Sequence, residues 1–165
     1  ISLTKKRLPT IKKEKLCIKR KQRNSSYWKP NNNYNKFNYL VEFIENLDIF
    51  ENIGNIVIII NKKNETGIEH YDHHCKDWVS EFIWLRTNNK KLFYIKNNKN
   101  KKFYVDGNMI WFDDMFRHNI SPTNEDTFSI RVDGKFNDKM RNYIYTNGIF
   151  KFARNREILL KNKNL

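Results

Sequence analysis

Phe37, Leu40, Val41, Ile44 and Leu47 recur three and four residues apart with Asn and Glu between them, the period of a helix that buries one face. Gly54 interrupts the pattern. Residues 55–60 follow as a short run rich in β-branched side chains, which reads as a buried strand. From there the period shortens, and strands are predicted at 81–86, 91–96, 102–105, 109–112, 127–132, 142–146 and 149–153. The segments TNNK, KNNKNK, DGN, SPTNED, VDGKFND and TNG separate them, each supplying residues that favour turns. Several short strands after a helix predict a mainly β domain with flanking helices, a sandwich or a barrel-like roll. There is no internal repeat.

Ahead of the helix the pattern is different. The segment ISLTKKRLPTIKKEKLCIKRKQRN is crowded with Lys and Arg, with Leu3, Leu8, Ile11, Leu16 and Ile18 spaced sparsely through it. These apolar positions would let the arm dock on a sheet edge. NSSYWKPNNNYN then reads as a polar loop. The expected division is a basic N-terminal arm over 1–30 and a single domain over 31–165.

Composition limits the function classes. With 165 residues, 39% of them apolar, one domain can bury a core without disulfides or a structural metal. The charge balance, 32 Lys+Arg against 18 Asp+Glu for a net +14, favours acidic partners, nucleic acid among them. Heavy use of Lys and Asn also follows from AT-rich coding, and a charge run is often only a solvated face; both explanations stay open. Cys17 and Cys75 are too few for a disulfide framework. The longest apolar run, 56–60, is strand-sized and far short of the roughly 20 residues of a membrane helix. A cytoplasmic monomer without a membrane partner is the expectation. The chain opens on Ile1 with no apolar h-region behind it, as a piece of a longer protein without a secretory signal would.

Three segments carry candidate chemistry. In TGIEHYDHHCKDW, His70 and Asp72 alternate along an extended chain and so point to the same side. In NMIWFDDMFRHNI, an apolar strand runs into two acids and then His118. Two imidazoles and one carboxylate, with other positions open, are the ligand set of non-haem Fe(II) oxygenases. In DTFSIRVDG, Phe128, Ile130 and Val132 share one face, and Ser129 and Arg131 the other. An Arg on an interior face requires a partner, and a carboxylate ligand suits the planar guanidinium.

H-x-D, a distal His beyond intervening strands, and an Arg about a dozen residues further on together resemble the Fe(II)/2-oxoglutarate-dependent dioxygenase superfamily, over about residues 55–135. The stretch WFDDMFRHN followed by SIRVD is similar to the distal-His region of aspartyl/asparaginyl β-hydroxylase-like members. The resemblance implies a double-stranded β-helix, a jelly-roll or cupin-like barrel, with His70, Asp72 and His118 as catalytic iron ligands. It also implies 2-oxoglutarate and O2 as co-substrates, hydroxylation of a further substrate, and release of succinate and CO2. Arg131 would hold the distal carboxylate of 2-oxoglutarate with help from Ser129. Asn61 stands nearest to the co-substrate-contacting Tyr that many members carry before H-x-D.

Other readings compete. Asp72–Cys75 spells the D-H-H-C of protein S-acyltransferases, but the chain lacks their membrane spans and Cys-rich zinc domain. The aromatic residues mostly alternate along expected strands, where core packing explains them, leaving Trp28 and Trp78 as rim candidates. A basic β-barrel that binds nucleic acid without catalysis, and a cupin-like metalloenzyme of another reaction type, are the alternatives to an oxygenase.

Overall fold

A computed structural model describes residues 14–21, 28–30, 34–72, 78–87, 92–148 and Leu159. The strand expected at 149–153, together with His73, His74 and Cys75, lies outside these described residues.

The expected helix is α1, Asn38–Asn46, entered through a 3-10 turn at Tyr34–Phe37. Its Val41 and Ile44 are buried. Strand β1 (Glu14–Lys21) and strand β2 (Trp28–Pro30) precede it. After it come β3 (Phe50–Asn61), β4 (Phe82–Arg86), β5 (Phe93–Lys96), β6 (Lys102–Val105), β7 (Met109–Ile110), β8 (His118–Ile120) and β9 (Thr127–Phe136). Helix α2, Asp138–Asn147, closes the order.

Helix α2 corrects the strand predicted at 142–146. The run YIYT has strand composition, but the local chemistry before it favours a helix. The Asn137 side chain accepts a hydrogen bond from the Met140 amide and caps the helix, and Asp138 occupies its first turn, where acidic groups complement the exposed N–H donors. Ile144 then falls on the buried face.

The strands form two antiparallel sheets. One has six strands in the order β2-β1-β3-β9-β4-β7, and the other has three in the order β6-β5-β8. The backbone of the basic arm thus enters the larger sheet, with β1 antiparallel to β3. Period-2 alternation divides the larger sheet's faces. Ile56, Val132 and Ile83 lie in one row across β3, β9 and β4. They are fully buried against Val41, Ile44 and Ile144 of the helices. The opposite face meets the smaller sheet through Phe82, Phe93, Ile95, Ile110, Phe112 and Ile120. The Phe93 and Phe112 ring centroids are 4.7 Å apart there. The described architecture is mainly antiparallel β with two helices, consistent with a sandwich.

Two further features fix the frame. Arg141 of α2 is almost fully buried, and its Nε and Nη2 donate to the two carboxylate oxygens of Glu81 at 2.8 and 3.2 Å. Glu81 also accepts the Phe136 amide at 2.6 Å. On β9, Gly134 sits where a Cβ would lie 2.5 Å from the Asn52 carbonyl, beside the register shift between β3 and β9. Only glycine permits that approach.

Candidate metal centre

His70 and His118 are brought together by backbone pairing. They form an isolated antiparallel bridge, and a turn delivers the distal one. Asp113 makes that turn: its side chain accepts the Met115 amide at 3.2 Å and its carbonyl accepts the Phe116 amide at 3.2 Å. The chain is thereby swung from Phe112 into β8. Asp72 is fixed two residues after His70, where its amide donates to the Asp114 carbonyl at 2.9 Å.

The result is a cluster in which one ligand atom each from His70, Asp72 and His118 lies within 4.8 Å of the others. Both imidazoles are oriented by a carbonyl two residues upstream. His70 Nδ1 is 2.6 Å from the Ile68 oxygen, and His118 Nδ1 is 2.8 Å from that of Phe116. With the proton on Nδ1 in each ring, both Nε2 lone pairs are left for a metal, the arrangement in which metal-bound imidazoles are held. Burial lowers the pKa of His118, which favours the neutral, metal-binding form. Burial would raise the pKa of Asp72, but the proximity of His70 and the charge of Arg131 hold it well below the usual carboxylate range. Two imidazole nitrogens and one carboxylate oxygen are a donor set that fits Fe(II) and would leave positions open.

The cluster opens onto a cavity of ≈ 140 Å³ between the sheets. Phe82, Trp84, Phe93 and Phe112 make much of its wall, and Asn61, Ser129 and Arg131 also line it. The register explains this: Ile59, Ser129 and Arg86 lie in one row across β3, β9 and β4, and Val57, Arg131 and Trp84 in the next. Ser129 and Arg131 therefore occupy the face opposite Val132, as the alternation in DTFSIRVDG predicts. Asn61 and Ser129 are almost fully buried. Asn61 Oδ1, Ser129 Oγ and Trp84 Nε1 are buried polar atoms with no hydrogen-bond partner among the described residues. Such atoms are costly unless something satisfies them.

Arg131 is differently placed. Its Nη1 donates to Asp72 Oδ2 at 2.9 Å, its Nη2 to Asp114 Oδ2 at 3.3 Å and its Nε to Asp133 Oδ1 at 2.7 Å. Its guanidinium carbon lies 4.0 Å from the centroid of the Phe82 ring. Burial would lower the pKa of Arg131, but Asp133, Asp72 and Asp114 together raise it. The carboxylates that an interior Arg requires are thus present in the protein itself. Asp114 and Asp133 were not singled out from sequence, and the alternation assigned Trp84 to core packing, whereas it lines the cavity. The signals for the two acids were Asp114's place in the pair before His118 and Asp133's position two residues beyond Arg131 on the same strand face.

A second group supports the ligand-bearing strands from outside the cavity. Glu69, next to His70, accepts from Lys96 at 2.7 Å and from the Tyr94 hydroxyl at 3.1 Å, with Arg117 at 3.6 Å. It connects the His70 segment to β5 and to the residue before His118.

No family model and no curated protein matches the chain. Among solved structures it is similar to a prolyl hydroxylase from Trichoplax adhaerens in complex with a hypoxia inducible factor peptide fragment, at 16% identity and TM-score 0.43. That match covers 64% of this chain and 58% of the other. A prolyl-4-hydroxylase from Pseudomonas putida gives 8% identity and TM-score 0.44, covering 75% and 71%. The capsular polysaccharide assembling protein CapF from Staphylococcus aureus gives 19% identity and TM-score 0.37, over 52% of this chain and 26% of CapF.

Proposed function

We propose that this chain is an Fe(II)- and 2-oxoglutarate-dependent oxygenase on a small double-stranded β-helix, which hydroxylates a further substrate with O2 and releases succinate and CO2. One observation carries the reading. Two carbonyl-oriented imidazoles and one ionised carboxylate converge within 4.8 Å at the mouth of a cavity whose wall holds unsatisfied polar atoms.

His70, Asp72 and His118 would hold the metal. Bound there, ferrous iron would supply the open positions at which a 2-oxo acid and O2 react together. The chain's own residues account for the rest. Phe82, Trp84, Phe93 and Phe112 keep the cavity poor in water, which strengthens every polar contact inside it. Ser129 and Asn61 offer a hydroxyl and an amide to the far carboxylate of the co-substrate, with Arg131 alongside to supply positive charge. A carboxylate would accept from the Ser129 hydroxyl and the Trp84 Nε1–H, which otherwise have no partner among the described residues.

The test is anaerobic titration of the protein with Fe(II) and 2-oxoglutarate, following the weak visible charge-transfer band of the chelate. A band that needs both additions, and that disappears in His118→Ala, supports the oxygenase. Iron binding without any response to 2-oxoglutarate would indicate a cupin-like enzyme of another reaction type. Failure to bind iron, with strongly salt-dependent binding of DNA or RNA, would put a nucleic-acid module in its place.

A further inference from the structure

The two oxygens of Asp72 have different neighbours. Oδ1 lies 3.3 Å from His70 Nε2. Oδ2 is engaged by Arg131 Nη1 at 2.9 Å. Arg131 is held on its other edges by Asp114, which is 1% exposed, and by Asp133, and it lies over the Phe82 ring. Asp114 is also the residue whose carbonyl accepts the Asp72 amide. One acidic residue therefore fixes both the backbone of Asp72 and the guanidinium that grips its side chain.

From this we infer that Arg131 is a positioning residue which keeps Asp72 a one-oxygen ligand, and that Asp114 holds Arg131 in place to do so. The inference rests on the metal-centre reading above. Its chemical content concerns open positions. A carboxylate released from the guanidinium can turn and chelate a metal through both oxygens, as carboxylates on divalent ions often do. That would take one of the positions a bidentate 2-oxo acid and O2 need. With Oδ2 engaged, Asp72 would supply one donor and the two imidazoles two, leaving further positions for the co-substrates. Three of the five N–H donors of Arg131 are already committed to protein carboxylates. The neutral donors Ser129 and Trp84 consequently carry more of the co-substrate's far end than an unpaired arginine would leave to them.

Co(II) in place of Fe(II) tests this, because its visible bands report coordination number without turnover. The full chain would be titrated anaerobically as wild type, Arg131→Gln, Arg131→Lys and Asp114→Asn, with circular dichroism to establish that each is folded. No 2-oxoglutarate is present at first. The expected result is a changed Co(II) spectrum and a loss of about 10–100-fold in Co(II) affinity for Arg131→Gln, the range for removing a group that orients a metal ligand. Asp114→Asn should move the spectrum in the same direction although Asp114 does not line the cavity. Arg131→Lys, which keeps the charge, should recover part of the wild-type spectrum. Wild-type Co(II) spectra and affinities in both Arg131→Gln and Asp114→Asn, with only 2-oxoglutarate binding weakened in Arg131→Gln, would overturn the inference and make Arg131 an anchor for the acid. A wild-type protein that binds no Co(II) fails differently, because it removes the metal centre itself.

Discussion

His70 and His118 exchange backbone hydrogen bonds across a single antiparallel bridge, at 3.2 and 2.8 Å, and their ring centroids are 4.6 Å apart. The bridge places the two imidazoles side by side through backbone pairing, so folding itself meets much of the ordering cost of bringing them together. It also links the centre to both sheets, because His118 belongs to β8 and Asp72 is held by Arg131 of β9.

A cluster that holds metal as proposed would make stability depend on it. A ligand that binds only the folded state stabilises it by about 2.7 kcal/mol at one hundred times its dissociation constant. Mn(II), a redox-silent substitute for Fe(II), should therefore raise the thermal midpoint of the wild type, and excess chelator should reverse the rise. His118→Ala should melt at the same temperature with and without Mn(II). A metal-dependent rise of wild-type size in that variant would remove His118 from the ligand set.

Gly67 offers a test of how the ligand strands approach each other. Asn119 Nδ2 donates to the Gly67 carbonyl at 2.8 Å, and a Cβ on Gly67 would collide with the Asn119 side-chain oxygen. Asn119 is the neighbour of His118 on β8. Gly67→Ala should cost about 1–3 kcal/mol through overpacking and weaken Mn(II) binding at the same time. Unchanged chemical denaturation and unchanged Mn(II) affinity would mean that Asn119 turns aside without moving β8.

The sequence made some of these relationships legible and hid others. Alternation along 127–132 separated Val132 from Ser129 and Arg131, and the structure keeps them on opposite faces. Helix α1 was visible because its apolar spacing is regular. Helix α2 was not, because Tyr143, Ile144 and Tyr145 have the composition of a strand, and the deciding signals were the Asn137 cap and Asp138. His70, Asp72 and His118 could be collected by order and residue type alone. The partners of Arg131 could not, since the pairing of Asp114 with Arg131 depends on how the turn before β8 meets β9. Strand register is a tertiary property, and Trp84 gains its place in the cavity wall only by lying opposite Arg131.

The buried pair behind β9 should dominate stability away from the metal. Glu81 satisfies two donors of Arg141 and the Phe136 amide at once. Glu81→Ala would leave a nearly inaccessible guanidinium without its main partner, although Glu51 and Asp138 lie at 3.5 and 3.3 Å. Removing one member of a buried ion pair typically costs about 3–5 kcal/mol, and that loss is expected in urea denaturation. Replacing Glu81 and Arg141 together by apolar residues should recover much of it. A single-variant loss below about 1 kcal/mol would fit a solvent-screened pair instead.

On the proposed function, substitution of Ser129 would separate co-substrate binding from metal binding. Its hydroxyl is buried in the cavity wall without a partner among the described residues, a group that a carboxylate would satisfy. A hydrogen bond to a charged group is worth about 1.5–3 kcal/mol, which corresponds to roughly 10–150-fold in affinity. Ser129→Ala should weaken 2-oxoglutarate binding to the Mn(II)-loaded protein by that factor and leave Mn(II) affinity unchanged. The same substitution removes a polar atom with no partner, so the metal-free protein should be as stable as the wild type or slightly more so. Calorimetric titration and thermal melting read the two effects separately. Unaltered 2-oxoglutarate affinity would exclude Ser129 from the far-carboxylate contact and shift that role toward Asn61 and Trp84. A loss of Mn(II) affinity as well would mean instead that Ser129 supports the position of Arg131, two residues further along the same face of β9.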